Sequence, residues 1–402
     1  MKPTAVIIAG LFTVYTGLGV LNPLLAPLVR ELGLSETQGG LIITVAALMF
    51  AVGSPFWGIR SERWGRKPVL LISLFGFSLG FGAFAIAAQL GLQNGIAPGA
   101  VFMALLLARA LAGFLMSGAP VAAQAFVADT TSGQERTAGI ALLGAANGLG
   151  FVAGPALGAA LAGFGLLAPL YTAAAIPLIA AVLVALWLPR VTPQPRDGSQ
   201  PQLRPTDARI WPWLLVGFTI IVALVGVQIT VGFLFQDRLQ LTPQGAAQAL
   251  GVALVTVGIT NLVAHLGIIR PFKVPPLLLL RVGVPLAILG FAILIVAATL
   301  PLLILSFVIA GLGLGLALPG YTAAATLEVT SQEQGAVAGL TVAAQGFGAM
   351  VGPLLATSLY QLRPESPYLL TCALLALVAA AVWLHPRLRR VAALAAPSRT
   401  AD

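Results

Sequence analysis

The chain has 402 residues, of which 59% are hydrophobic and only 8% charged, with a formal net charge of +9. Soluble domains carry about a quarter of their residues as charges, so this composition excludes a fold that keeps a solvated surface. The single cysteine, Cys372, excludes a disulfide framework and a multi-thiolate metal site.

Twelve apolar runs, each long enough to cross about 30 Å of hydrocarbon, follow one another near 5–27, 39–59, 69–89, 98–122, 136–161, 166–189, 211–235, 244–268, 276–298, 300–323, 334–359 and 366–385. The first lacks a small-x-small cleavage site and is expected to stay as a helix. Between the runs, the odd-numbered connections hold only Arg30, Arg238 and Arg363, each with an acid beside or near it (Glu31, Asp237 and Glu365). The even-numbered connections and the termini hold Lys2, Arg60, Arg63, Arg66, Lys67, Arg136, Arg190, Arg196, Arg204, Arg209, Arg270, Lys273, Arg387, Arg389, Arg390 and Arg399. This bias predicts cytoplasmic termini and an even number of spans. The basic excess is therefore topology, facing a lipid bilayer and no nucleic acid.

The first span contains Tyr15, Thr16, Asn22, Pro23 and Pro27 but no acid, and Ser35 is placed to cap the second helix. The second connection reads Gly58-Ile59-Arg60-Ser61-Glu62-Arg63-Trp64-Gly65-Arg66-Lys67-Pro68, a tight turn in which Gly65 permits the reversal. The fourth span carries Leu105, Arg109 and Gly113 at four-residue spacing and ends at Asp129. Arg109 lies roughly 16 Å along its helix, too deep to snorkel, where a guanidinium by default marks a functional site. In the fifth span, Gly150, Gly154, Pro155 and Gly158 put small residues at the spacing that lets helix backbones touch, with a proline that bends the helix.

The polar, Pro/Gly/Ser/Gln-rich stretch 190–210 is expected to be a flexible linker. It divides the chain into an N-terminal six-helix bundle (1–189) and a C-terminal one (211–388), with a cytoplasmic tail at 389–402. The halves repeat one another. Gln134-Glu135-Arg136 through Asn147-Gly148-Leu149-Gly150 to Gly154-Pro155 returns as Gln332-Glu333-Gln334 through Gln345-Gly346-Phe347-Gly348 to Gly352-Pro353. Glu31-Leu32-Gly33-Leu34-Ser35 returns as Arg238-Leu239-Gln240-Leu241-Thr242, with Thr242 as the matching cap. The partner of the 58–68 loop, Gly267 to Lys273, keeps a glycine and cations and lacks the acid. A duplicated membrane half marks a transporter built from repeats.

The 58–68 loop resembles the Gly-x-x-x-Asp-Arg-x-Gly-Arg-Lys/Arg signature of the major facilitator superfamily, with Glu62 where the family has Asp. The fifth span is similar to the antiporter motif of that superfamily's drug:proton branch, with Ala159 in place of the final glycine. The resemblance implies an all-α integral membrane fold of twelve transmembrane helices in two pseudo-symmetric bundles around a midplane cavity. It implies a gate latch formed by Gly58, Glu62, Arg63, Gly65, Arg66 and Lys67, and proton or anion chemistry at Arg109, with Asp129 beside the loop.

No Asp or Glu falls in the middle of any span, which turns the expected substrate away from cations and toward neutral or anionic compounds. Proton coupling would use Asp129, Glu62, Glu31, Asp237 or His265. Arg109, Asn147, Gln228 and Gln345 form the expected mid-depth polar set; the amides either bind a ligand or fasten neighbouring helices. Two histidines (265 and 385) and one cysteine supply no catalytic constellation, so no enzyme activity and no cofactor are expected. The expected function is proton-coupled export of a small lipophilic compound by a monomer in the inner membrane; uptake of a small organic solute is the alternative.

Overall fold

The computed structural model describes residues 3–131, 133–189, 203–272, 274–330 and 333–384. The first part of the expected linker (190–202), the tail, His385 and the cations Lys2, Arg190, Arg196, Lys273, Arg387, Arg389, Arg390 and Arg399 lie outside the described residues, as do the side chains of Gln134, Arg136 and Gln332.

Among the described residues there are helices and no strand. Twelve are long and apolar enough to cross a membrane. They are α1 (Pro3–Glu31), α2 (Glu36–Trp64), α3 (Arg66–Leu92), α4 (Pro98–Thr130), α5 (Gly133–Ala162), α6 (Leu167–Trp187), α7 (Trp211–Leu239), α8 (Pro243–Phe272), α9 (Pro276–Val296), α10 (Leu300–Leu327), α11 (Gln334–Leu362) and α12 (Ser366–Leu384). The twelve-helix fold expected from the sequence is the fold observed.

Local chemistry sets the boundaries. Ser35 Oγ accepts the Gln38 backbone N–H at 3.2 Å while Gln38 Oε1 accepts the Ser35 N–H at 2.8 Å, a reciprocal cap. Thr242 Oγ1 accepts the Gly245 N–H at 3.1 Å at the matching place before α8. The sequence shows α4 as one span, but its regular turns stop at Met116 and resume at Gly118. Pro120 explains the break, since it has no N–H for the Met116 carbonyl and its ring crowds that oxygen. In α8 a π-helical turn covers Ala264–Ile269, just before Pro271.

Residues 1–196 with 229–255 form one compact unit, and residues 197–228 with 256–402 form another. In the first unit, Phe77, Phe81 and Phe84 line the buried side of α3, with Phe77 and Phe81 stacked at 4.4 Å. There α3 meets α4 through small residues: a Cβ at Gly80 would lie 2.6 Å from the Cβ of Ala112. The second unit repeats the device between α9 and α10, where a Cβ at Gly290 would lie 2.4 Å from the Ala310 nitrogen. In hydrocarbon no hydrophobic force joins helices, so close packing across small residues does that work. Large apolar side chains such as Leu79, Ile179 and Leu186 in the first unit and Leu377 in the second point outward instead. That surface suits lipid.

Candidate functional site

The 58–68 loop joins α2 to α3 in one residue. Gly65 has φ +89°, a conformation that a side chain would strain. This turn starts α3 with Arg66, whose Nε donates to Asp129 Oδ2 at 2.7 Å; both side chains are 4% exposed. Arg66 Nη1 also donates to Ser61 Oγ at 3.0 Å. A buried pair of this kind is held by hydrogen bonds on both partners, and losing one partner strands the other's charge. Lys67 Nζ donates to the carbonyl oxygens of Ala185 and Leu188, at 2.8 and 2.7 Å, at the end of α6, where the last turn leaves carbonyls unpaired. Glu62 and Arg63 are exposed, and among the described residues Glu62 makes no ion pair. Gly58 lies inside α2, 3.8 Å from Val121 by the reach of a Cβ. Asp129 thus meets the loop through its cation Arg66.

The Gly150, Gly154, Pro155 and Gly158 face of α5 is seated on α1. A Cβ at Gly150 would lie 2.6 Å from that of Tyr15, one at Gly154 2.5 Å from the Thr16 carbonyl oxygen and the Gly19 Cα, and one at Gly158 2.8 Å from the Val20 carbonyl oxygen. Pro155 faces Gly19, whose own Cβ would come within 2.9 Å of the ring. Here two backbones touch with no side chain between them. The second repeat does the same on α7: Cβ atoms at Gly348 and Gly352 would each lie 2.8 Å from a carbonyl oxygen, of Phe218 and Val222 respectively.

Arg109 is 5% exposed, with its guanidinium 5.0 Å over the ring of Phe81. Its Nε and Nη1 are buried without a hydrogen-bond partner among the described residues. Phe81 meets the cation with its π face, while Nε and Nη1 find no acceptor among the described residues, an expensive state for a charge. Asn147 is partly buried on α5 in the same unit. In the second unit, Gln345 Nε2 donates to the hydroxyl of buried Tyr321, and Gln228 is partly buried on α7. Gln345 therefore fastens α11 to α10.

Comparison with known proteins adds to this geometry. The family profile of the Major Facilitator Superfamily matches residues 7–343, with a second match over 276–400. The chain belongs to the Major Facilitator Superfamily. It is 28% identical over 367 residues to the tetracycline resistance protein, class B, of Escherichia coli, covering 86% of this chain and 85% of that one. It is 25% identical over 381 residues to multidrug resistance protein 2 of Bacillus subtilis (strain 168), covering 90% of each. Among solved structures, the nucleoside transporter NupG has the same fold, with a TM-score of 0.74 at 15% identity over 95% of this chain and 98% of that one. As a member of this superfamily the chain is a multi-pass membrane transporter with a small-molecule substrate.

One charge cluster of this facilitator was not assembled from the sequence. Arg30 at the end of α1 donates to both carboxylate oxygens of Asp237 at the end of α7, at 2.6 and 3.0 Å, and to Glu36 at 3.3 Å. Its guanidinium also lies 5.2 Å over the Phe233 ring. All four residues fall in the first compact unit. The local pairs Arg30-Glu31 and Asp237-Arg238 disguise this crossed arrangement. The repeat holds the missing signal, since Arg30 and Asp237 occupy matching places in the two copies with opposite charge. His265, a coupling candidate, lies in the π-turn with an exposed ring whose Nδ1 is 2.9 Å from the Asn261 carbonyl oxygen.

In the second unit, Arg209 bridges Asp207 and Glu333, with Nη2 2.9 Å from a carboxylate oxygen of each. Hydrogen bonding to Arg209 holds the Glu333 carboxyl down to about 2, and it lowers Asp207 as well. Glu333 also accepts the backbone N–H of Thr330 at 3.0 Å. The segment entering α7 is thereby tied to the start of α11. A second cation absent from the expected intramembrane polar set is Arg281, five residues into α9.

Proposed function

We propose that this facilitator is a proton-coupled exporter of small lipophilic compounds, neutral or anionic, working by alternating access between the halves 1–189 and 211–388. The observation that carries the direction of transport is the glycine and proline face of α5 seated directly on the backbone of α1. That face matches the antiporter-type motif, and the relatives named for tetracycline and multidrug resistance align along most of this chain. A backbone-to-backbone seam lets two helices shift together without repacking side chains.

Arg109 would supply the charge that an anionic or strongly dipolar substrate meets, because its two unpaired donors gain most from a ligand that accepts them. Asn147, Gln228 and Gln345 would add amide contacts, the last only by exchanging Tyr321 for substrate. The Arg66–Asp129 pair and the 58–68 loop would latch one side, with Asp129 as the candidate proton carrier. Arg30 and Asp237 would latch the opposite side. The positive charge of the even-numbered connections and both termini favours their lying in the cytoplasm, which puts the chain in the inner membrane, where it would act as a monomer without a cofactor.

Uptake of a small organic solute is the second reading, favoured by the lack of any carboxylate in the middle of a span. The deciding experiment uses everted membrane vesicles holding an imposed pH gradient, challenged with neutral, cationic and anionic lipophiles. Export predicts that particular neutral or anionic compounds collapse the gradient only where the protein is present. An unchanged gradient with folded, inserted protein, together with solute entering whole cells, would overturn export in favour of uptake.

A further inference from the structure

We propose that Arg281 and Trp383 form a headgroup site for an anionic phospholipid on the membrane-facing surface between α9 and α12. The guanidinium of Arg281 lies 4.8 Å over the indole of Trp383, and its Nε is buried with no hydrogen-bond partner among the described residues. Among the described residues Arg281 enters no ion pair. The charge is therefore held by an aromatic face, with no anion among the described residues.

Its surroundings identify what would supply one. Leu278 and Val282, which flank Arg281 on α9, are exposed, as are Leu377, Trp383 and Leu384 on α12. Such a surface faces acyl chains and not water. Arg281 begins roughly 7.5 Å along α9 from Pro276, and Trp383 is one residue from the end of α12. Both positions fall where a long side chain reaches the headgroup layer and where tryptophan prefers to sit. This is the opposite situation from Arg109, which points into the bundle beneath Phe81.

A phosphodiester fits the remaining chemistry. Its oxygens accept from a guanidinium, its acyl chains cover the exposed leucines, and basic pockets between transmembrane helices bind such headgroups. A free phosphate ion would share the first contact and none of the second. The leaflet is that of the even-numbered connections, cytoplasmic in the orientation proposed above; the site itself does not depend on the direction of transport.

The test uses the full chain in phosphatidylcholine nanodiscs doped with phosphatidylglycerol, extracted gently and analysed by native mass spectrometry for retained lipid. Wild type should retain phosphatidylglycerol over phosphatidylcholine, and Arg281→Gln should lower that preference about fivefold, the worth of one cation at an anionic membrane surface. Arg281→Lys should keep most of the preference and so separates charge from folding. Trp383→Leu should weaken it less than Arg281→Gln does. Equal preference in wild type and Arg281→Gln would overturn the proposal. So would displacement of the lipid signal by millimolar inorganic phosphate, which would assign the site to a small anion, or a dimer in place of bound lipid, which would make this face a contact between copies.

Discussion

Arg109 carries a stability cost that the Phe81 ring offsets only in part. A buried cation with two idle donors destabilises its bundle, so Arg109→Met, similar in length and apolar, should melt no lower than wild type, while transport falls about ten- to a hundredfold, the range for a lost charged hydrogen bond. Thermal unfolding in detergent and proton flux in vesicles measure the two effects on the same preparation, and unaltered flux would remove Arg109 from the site. Glycine positions give the reverse contrast. Gly154→Ala forces a methyl to within 2.5 Å of α1 backbone and should cost about 1–3 kcal/mol. Gly148→Ala, on the same helix with nothing within 4 Å, should cost nothing in packing. Both residues look alike in the sequence. Spacing picked out Gly150, Gly154 and Gly158 because the four-residue period survives in one dimension. The orphaned donors of Arg109 and the Tyr321 partner of Gln345 depend on rotamers and could not be read there.

At the scale of elements, the loop between α2 and α3 works as a clasp on α4 and α6. Asp129→Asn removes the partner of a buried arginine and should destabilise the protein by about 3–5 kcal/mol, whereas Glu62→Gln, at an exposed position, should leave the melting temperature in place. If Glu62 instead acts in the latch, Glu62→Gln will change the balance of inward and outward accessibility, measured by labelling single cysteines on either side. The Arg209 cluster answers to acid in a defined direction. Glu333 has its carboxyl lowered from 4.5 to about 2, so the tie is complete above about 4.5 and is lost as pH falls toward 2. Limited proteolysis ahead of α7 should therefore stay constant from neutral pH down to about 5 and rise below about 4, whereas Glu333→Gln should raise it at neutral pH. The loop signature revealed the clasp's cations and its turn. It did not reveal that Asp129 answers to Arg66, because a pair 63 residues apart needs the helix packing to bring it together.

For the molecule as a whole, repetition was the strongest message in the sequence, and it carried the twelve spans, the caps at Ser35 and Thr242, and the paired seams of α5 and α11. Departures from repetition were harder to value. The opposite charges at Arg30 and Asp237 look like noise in an alignment of the halves, yet in space they attract one another directly. Replacing either with alanine should shift the inward–outward population by about fivefold, near the upper value for a partly exposed pair. The reversed pair, Arg30→Asp with Asp237→Arg, should restore what the single changes lose; failure to do so would deny the contact a role in the transport cycle. Arg281 does not stand out in the sequence, because it sits so near a basic connection that it resembles more of the same.

The Arg30–Asp237 clasp is also open to water, at 29% and 36% exposure. Mobile ions reach it, and the distance over which they leave charges visible shrinks from about 10 Å at 0.1 M salt to about 3 Å at 1 M. If the pair latches one side as proposed above, the state that it holds would loosen in brine and tighten in dilute medium. In the orientation proposed above, salinity outside the cell, a quantity that neither substrate nor proton gradient reports, would then become a setting on how often the transporter resets.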